Sequence, residues 1–442
     1  MQVQPLADHN TSAPWPAPAR GWLIVILLAL ASVVSQFDRT VVNLMVEPIK
    51  SRFALDDTHF GMLQGIAFGI FYIIACVPVG RLVDRYSRTL ILGVCLGLFS
   101  LSAMASGLAR NFAQLFLTRV SVGVGEASVT PAALSMLSDL FPPERLGRPV
   151  SGFLMSAPIG QGVAFIGGGA LLQWLTTSSF LASGAFHNFA PWQAAFIIVG
   201  APGLLLVPIF LLLREPQRRG PGHAVPLPVP EVLRIVRSRA PALVPMFAAF
   251  ALVSLVSYVF FIWTPALFQR TYGWNPGQIG LGFGLALIFF GTSGVFFAGW
   301  MSDRLARRGH TDAPLTVAAF GFVGCGVFGA LAPLMPNAAA ALAMLAPALF
   351  LSMMPFPCAG AAIQMIVPNR ARGQVTALYI TITTLVGLSI GPIVVGLMTD
   401  HVFHEPADVR YSMAIVVGLA APLMFVLLLA ARKPYRLLRA MT

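Results

Sequence analysis

The chain has 442 residues, 57% of them hydrophobic and 10% charged. A soluble globular chain carries roughly 25% charged residues, so this composition excludes an ordinary soluble enzyme and a disordered chain and leaves an integral membrane protein. The net charge of +12 would suggest nucleic acid in a soluble protein, but the basic residues are spread over many loops and form no single stripe, so no nucleic-acid partner is expected.

A spanning helix needs about 20 mainly apolar residues. Runs of that kind are predicted at 22–45, 58–80, 89–108, 112–138, 150–175, 192–213, 242–267, 278–301, 314–334, 339–363, 374–398 and 411–431. They are continuous stretches and not ten-residue alternations, which excludes a β-barrel. The first 20 residues hold no signal-peptide core, so the first run reads as a retained helix. The fourth run is the least apolar, because it holds Arg119, Glu126 and Pro131. Arg214–Ala240 is rich in Pro and Arg and reads as a cytoplasmic linker, with a short helix near Glu231–Arg237. The expected division is a six-helix bundle over 1–213, a linker over 214–240 and a second six-helix bundle over 241–442. All four cysteines (Cys76, Cys95, Cys325, Cys358) lie in apolar runs without metal-ligand spacing, so packing is expected and neither a disulfide nor a metal site.

The two halves repeat each other. GRLVDRYSR (Gly80–Arg88) ends the second run and GWMSDRLAR (Gly299–Arg307) ends the eighth. At the same displacement, about half the chain, Gly61 falls on Gly280 and Gly65 on Gly284. A segment that matches at one displacement indicates a duplicated six-helix unit. Positive charge collects on cytoplasmic loops. With both termini cytoplasmic, the opposite face holds only Lys50, Arg52, Arg110, Arg270 and Arg410, Arg39 and Arg119 are intramembrane, and the remaining Lys and Arg are cytoplasmic.

Charge inside a bilayer is costly, so an intramembrane charge is a functional candidate. Asp38, Arg39, Arg119 and Glu126 alone lie well inside predicted spans, on the first and fourth helices, while all seven histidines fall in the N-terminal tail, loops or helix ends. Arg119 and Glu126 are two turns apart and share a face; Asp38 and Arg39 point about 100° apart. Cross-helix ion pairs can form from these four. Protonating one acid frees an Arg for an anion or changes a helix contact, which trades a proton against substrate or conformation. A purely structural ion-pair network is the alternative, although an apolar pair would usually be at least as stabilising there.

At the cytoplasmic ends, Asp84 with Arg85 and Arg88, and Asp303 with Arg304 and Arg307, after Gly80 and Gly299, are expected to latch one conformation. Asp139 and Arg145 are candidates for the same network. Gly61, Gly65 and Gly69 share one helix face, Gly123 and Gly125 flank Glu126, and Gly387, Gly391, Pro392 and Gly396 suggest a bend or close contact in the eleventh run. In the second half, Ser254, Ser257, Tyr258 and Trp263, then Met353, Met354, Phe356 and Gln364, then Tyr379, Thr381, Thr383 and Thr384 could wall an amphipathic or apolar pocket. No phosphate-binding G-x-x-x-x-G-K-[ST] and no catalytic Ser/His/Asp or H-E-x-x-H constellation is present. The chain is therefore not expected to be an enzyme or to need a cofactor, and its energy source is expected to be a gradient.

The paired G-x-x-x-D-R-x-x-R motifs after the second and eighth of twelve helices resemble the major facilitator superfamily over essentially the whole chain. Within it, FDRTVVNLMVEPIKSRFALDDTHFGML and RVSVGVGEAS resemble the Spinster family. That resemblance implies roles in proton coupling and substrate binding for Asp38, Arg39, Arg119 and Glu126. It implies a lysophospholipid-like or sphingoid-phosphate-like substrate, alternating access and a monomer. The first motif departs from the superfamily pattern at Tyr86 and Ser87, where a Gly often follows. The expected protein is thus a proton-coupled secondary transporter of the bacterial inner membrane, with membrane lipids, protons and an amphipathic substrate as partners. Arg39, Arg119, Glu126, Tyr258, Trp263, Met354 and Tyr379 are the expected substrate contacts. A multidrug or organic-anion exporter is the alternative, and a non-transporting receptor or scaffold the reading from another class.

Overall fold

The computed structural model describes residues 15–182, 186–219 and 227–440. Most of the N-terminal tail, including His9, and the centre of the linker, including His223, lie outside the described residues.

Among the described residues, twelve helices are long and apolar enough to cross a membrane: α1 Pro18–Leu44, α2 Asp57–Arg85, α3 Arg88–Ser106, α4 Phe112–Leu140, α5 Gly147–Thr177, α6 Pro191–Leu212, α7 Ala240–Tyr272, α8 Pro276–Arg307, α9 Ala313–Leu334, α10 Ala338–Ile366, α11 Asn369–Phe403 and α12 Pro406–Ala440. All twelve predicted runs are present. Several helices extend past their apolar stretch, because polar residues at the membrane surface continue the backbone hydrogen-bond ladder; α7, for example, reaches Tyr272. Their starts are written locally. Asn111, Asn275 and Asn337 each accept a backbone N–H three residues on, at 2.9 Å, and Asp56 and Ser87 do the same for α2 and α3. The linker helix runs over Val229–Ser238.

Twelve crossings return the chain to its starting side, so α1 begins and α12 ends on one face, here the terminal face. The other is the distal face. The first six helices pack mainly among themselves, as do the last six, and the contacts between halves concentrate in the distal part: α2 on α11, α5 on α8, and α1 on α7. Glycines make these approaches possible. A methyl group on Gly280 would lie 2.2 Å from the Phe165 carbonyl oxygen, and one on Gly396 would lie 2.6 Å from the Asp57 carbonyl oxygen. At the facing stretches α2 carries a π-helical segment, Leu63–Ile70, and α11 another, Leu385–Ile390. On the terminal side the picture reverses. A methyl group on Gly80, Gly299, Gly360 or Gly373 would meet nothing within 4 Å. The distal side is sealed and the terminal side stands open. We expect Gly280→Val to force α5 from α8 and lower the thermal midpoint by several degrees, at about 1–3 kcal/mol of overpacking. A differential scanning measurement with no shift would contradict the tight approach.

Each half ties its terminal face by a different charge pattern. In the first, Arg88 is fully buried and donates to Glu215 at 2.6 Å, to Asp139, and to the Pro216 carbonyl at 2.8 Å. In the second, Asp312 accepts Arg432 at 2.6 Å and Arg436 at 2.9 Å. Burial alone would raise the Glu215 carboxyl, but hydrogen bonds from Arg88, the Thr89 N–H and Ser87 outweigh it and hold its pKa below the usual range. Burial likewise opposes ionisation of Asp312, and its bonds to Arg432 and Arg436 win. A carboxyl depressed on folding contributes stability above its unfolded pKa of about 4 and loses it as pH falls through the folded value. We therefore expect Asp312→Asn to lower the thermal midpoint at pH 7 and to lower it less at pH 3. Equal loss at both values would contradict the ion-pair origin.

Candidate functional site

The four intramembrane charges meet as two cross-helix pairs between α1 and α4. Arg119 bonds Asp38 at 2.8 and 2.9 Å, and both residues are 1% exposed. The Arg119 guanidinium also lies 5.1 Å from the Phe196 ring centroid. Arg39 bonds Glu126 at 2.7 and 2.9 Å, and the Ser35 hydroxyl donates to the same carboxylate. Arg39 rests on the faces of Phe68 at 4.2 Å and Tyr72 at 5.3 Å. The i, i+7 spacing on α4 and the adjacent residues on α1 produce this arrangement as the helical periodicity requires. Gly123 brings α4 onto α2: a methyl group there would meet the Phe68 carbonyl oxygen at 2.7 Å.

The two pairs differ in surroundings. The Asp38–Arg119 pair is almost fully buried, whereas the Arg39 side chain keeps 23% of its surface exposed. Arg39 lines two cavities. One, toward the terminal face, includes Ser32, Ser35, Tyr72, Glu126, Thr130 and Phe153. The other lies deeper, under the distal seal, and takes Gln36, Asn43, Gln64, Gln161 and Arg119 from the first half and Tyr258, Phe261, Ile262 and Leu388 from the second. Gln36 lines both. A group arriving from the terminal side can reach the Arg39–Glu126 pair, and breaking that pair changes what stands between the cavities.

The structure disperses the other expected substrate contacts. Tyr258 lines the deep cavity. Trp263 is fully buried at the distal seal, where its Nε1 donates to the Pro392 carbonyl at 3.1 Å. Met354 is buried inside the second half beside Gly321. Tyr379 packs on Phe247 and Phe250. Of the expected latch, Arg88 and Asp139 bond each other within the first half. Asp84, Arg85, Arg145, Asp303, Arg304 and Arg307 are exposed on the open terminal face, with Arg304 over Trp300 at 5.3 Å. Arg218 donates to the carbonyls of Val83, Asp84 and Tyr86, which fixes the end of α2.

A second charged cluster, missed by inspection of single spans, closes the distal face. Arg270 at the end of α7 donates to Asp57 at 2.6 and 2.7 Å and to Glu47 at 2.7 Å. Lys50 bonds Asp57 too, and Asp57 is fully buried. Asp400 of α11 accepts the N–H groups of Asp57 at 3.1 Å and Thr58 at 2.6 Å, so it caps a helix of the opposite half. The available signal was that Lys50 and Arg270 run against the positive-inside pattern, which implies acidic partners.

The model of the Major Facilitator Superfamily matches residues 28–392. The chain belongs to that superfamily. It is accordingly an integral multi-pass transporter. Among relatives in this superfamily, it is 29% identical to an MFS-type efflux pump of Mycolicibacterium smegmatis, over 95% of this chain and 94% of that one. It is 25% identical to protein spinster of Drosophila melanogaster, over 88% of this chain and 64% of that one. Its fold matches that of a bacterial homologue of the human lysosomal transporter Spinster, solved inward-facing and unoccupied, with TM-score 0.79 and 24% identity over 96% of this chain and 98% of that one. The likeness to Spinster proteins read from α1 and α4 is borne out by these relatives.

Proposed function

We propose that the chain is a proton-coupled secondary transporter that carries an amphipathic, lipid-like anion of lysophospholipid or sphingoid type by alternating access. The observation that carries this reading is the Arg39–Glu126 pair, placed where two cavities meet and partly exposed. An anion that binds Arg39 competes with the Glu126 carboxylate, and a proton on Glu126 relieves that competition. Proton and substrate binding are then coupled, each strengthening the other. Asp38 holds Arg119 as the second, more buried pair and is the second titrating candidate. The polar wall of the first half takes the headgroup, and the tail lies along the aromatic second half beside Tyr258. Trp263, Met354 and Tyr379 act on substrate only if rocking of the halves brings them to it.

The terminal face is the cytoplasmic one in this reading, in a bacterial inner membrane, and the structure is then inward-open. Asp84, Arg85, Arg145, Asp303, Arg304 and Arg307 engage when that face closes. A single chain supplies every group, so the working unit is a monomer. An exporter of drugs or organic anions is the second reading, favoured by the efflux-pump relative; Arg39 and Arg119 oppose cationic drugs in either case.

Transport of a fluorescent lysophospholipid by proteoliposomes, with and without an imposed pH gradient, tests the proposal. Gradient-stimulated transport is expected. Equal or absent transport in both conditions would overturn the reading.

A further inference from the structure

The deep cavity has a composition that the proton-coupling reading does not use. Four carboxamides, Gln36, Asn43, Gln64 and Gln161, converge there from α1, α2 and α5. Polar side chains inside a spanning bundle are costly and mark pathways. Two of the four have structural work. Gln64 donates to Asn43 Oδ1, and Asn43 Nδ2 donates to the Phe261 carbonyl across the halves at 3.1 Å. The other two do not. Gln36 is nine-tenths buried, and its Oε1 has no hydrogen-bond partner. Gln161 makes no hydrogen bond among the described residues. A carbonyl oxygen buried without a donor is destabilising, so the site is complete only when something supplies one.

An anion alone cannot do this. A phosphate or carboxylate satisfies Arg39 and leaves the carboxamide oxygens unpaired. A carboxamide presents a donor and an acceptor side by side, which matches a hydroxyl, itself both donor and acceptor. A pair of vicinal hydroxyls can meet two carboxamides at once. Resting on the transport reading above, we propose that the deep cavity is a subsite for a hydroxyl-bearing anionic group, read by Gln36 and Gln161 beside Arg39. The shared chemistry is a polyol next to a negative charge. Two sources carry that chemistry: a glycerol-phosphate headgroup on an acyl chain, and a free sugar acid; the cavity, about 40 Å³ in this state, widens to admit either as the halves move.

The test uses the purified full chain in phosphatidylcholine nanodiscs and three probes. Lysophosphatidylglycerol carries the charge, the diol and the tail. Lysophosphatidylmethanol of the same acyl chain keeps the charge and the tail and lacks the diol. Gluconate carries the charge and the hydroxyls without a tail. A site that hydrogen-bonds a hydroxyl discriminates strongly against the analogue without it. We expect wild type to bind lysophosphatidylglycerol at least about tenfold more tightly than lysophosphatidylmethanol. We expect Gln161→Leu, and separately Gln36→Met, to abolish that preference while leaving lysophosphatidylmethanol binding unchanged. Retained lysophosphatidylmethanol binding also shows that the variants are folded. Gluconate binding that needs Gln161, without binding of either lipid, would keep the subsite and overturn the lipid-tail part of the transport reading. Equal binding of the two lipids by wild type would overturn the subsite and leave the lipid reading standing. Binding of none of the three would overturn the subsite.

Discussion

Glu126→Gln is expected to bind an anionic substrate at pH 8 at least as tightly as wild type and to lose gradient-driven transport by about tenfold or more. The substitution imitates the protonated acid. It leaves Arg39, packed on Phe68 and Tyr72, free of its carboxylate partner, so binding no longer waits for a proton. It also removes the group that must release the proton on the other side, so net transport down a proton gradient stops. Exchange of internal for external substrate needs no deprotonation and should persist. Binding measured across pH 5–8 checks the first half: a slope in wild type and a flat line in the variant. Asp38→Asn is a less selective change. It leaves Arg119, 1% exposed, charged and without its carboxylate partner, and breaking a buried pair is strongly destabilising, at about 3–5 kcal/mol. Reduced transport there is expected to accompany a lower thermal midpoint, whereas Glu126→Gln should leave the midpoint near wild type. Unchanged, still pH-driven transport in both variants would refute the assignment.

Removing Arg270 is expected to open the distal face. Its guanidinium holds Asp57 by two bonds and Glu47 by a third, and it joins α7 of one half to the start of α2 in the other. Arg270→Ala leaves the buried Asp57 with Lys50 as its basic partner. With Lys50 still compensating Asp57, loss of the charged hydrogen bonds, about 1.5–3 kcal/mol from the distal-closed state, corresponds to a shift of roughly tenfold to a hundredfold in the balance of states. Arg270→Lys keeps the charge but loses the fork that meets both oxygens, so an intermediate shift is expected. Spin labels at Ser51 and Ala407, both exposed on the distal side, report the change as a longer-distance population. A distribution identical to wild type would show that the glycine-lined approaches of α2 to α11 and α5 to α8 seal the face alone.

How much the sequence disclosed depended on how local each signal was. The twelve helices were legible because each is a continuous apolar run, and the repeat because GRLVDRYSR and GWMSDRLAR survive in both halves. The cross-pairing of Asp38, Arg39, Arg119 and Glu126 followed from spacing on two helices and from the lack of any other intramembrane charge. The distal gate was hidden, since Asp57, Arg270 and Asp400 sit at span ends, where charge is ordinary, and lie far apart in the chain. The carboxamide wall was hidden for a related reason: a single Gln in a span says little until four share one cavity. For Trp263, Met354 and Tyr379 the residue type alone does not decide between a pocket wall and packing. Aromatic and Met side chains suit a pocket wall, but they equally fill the space between helices, and only the packing tells which. The motif residues Asp84, Arg85, Asp303 and Arg304 carry no sequence signal for the state in which they engage, and here they face an open side.

The central claim is that one proton-linked pair, Arg39–Glu126, ties substrate movement to proton movement. Proteoliposomes loaded with a pH-sensitive dye and held without an imposed gradient test it directly. Adding lysophospholipid outside should change the internal pH as the substrate moves, and Glu126→Gln should move no protons. Substrate transport by wild type with no accompanying pH change would contradict the account.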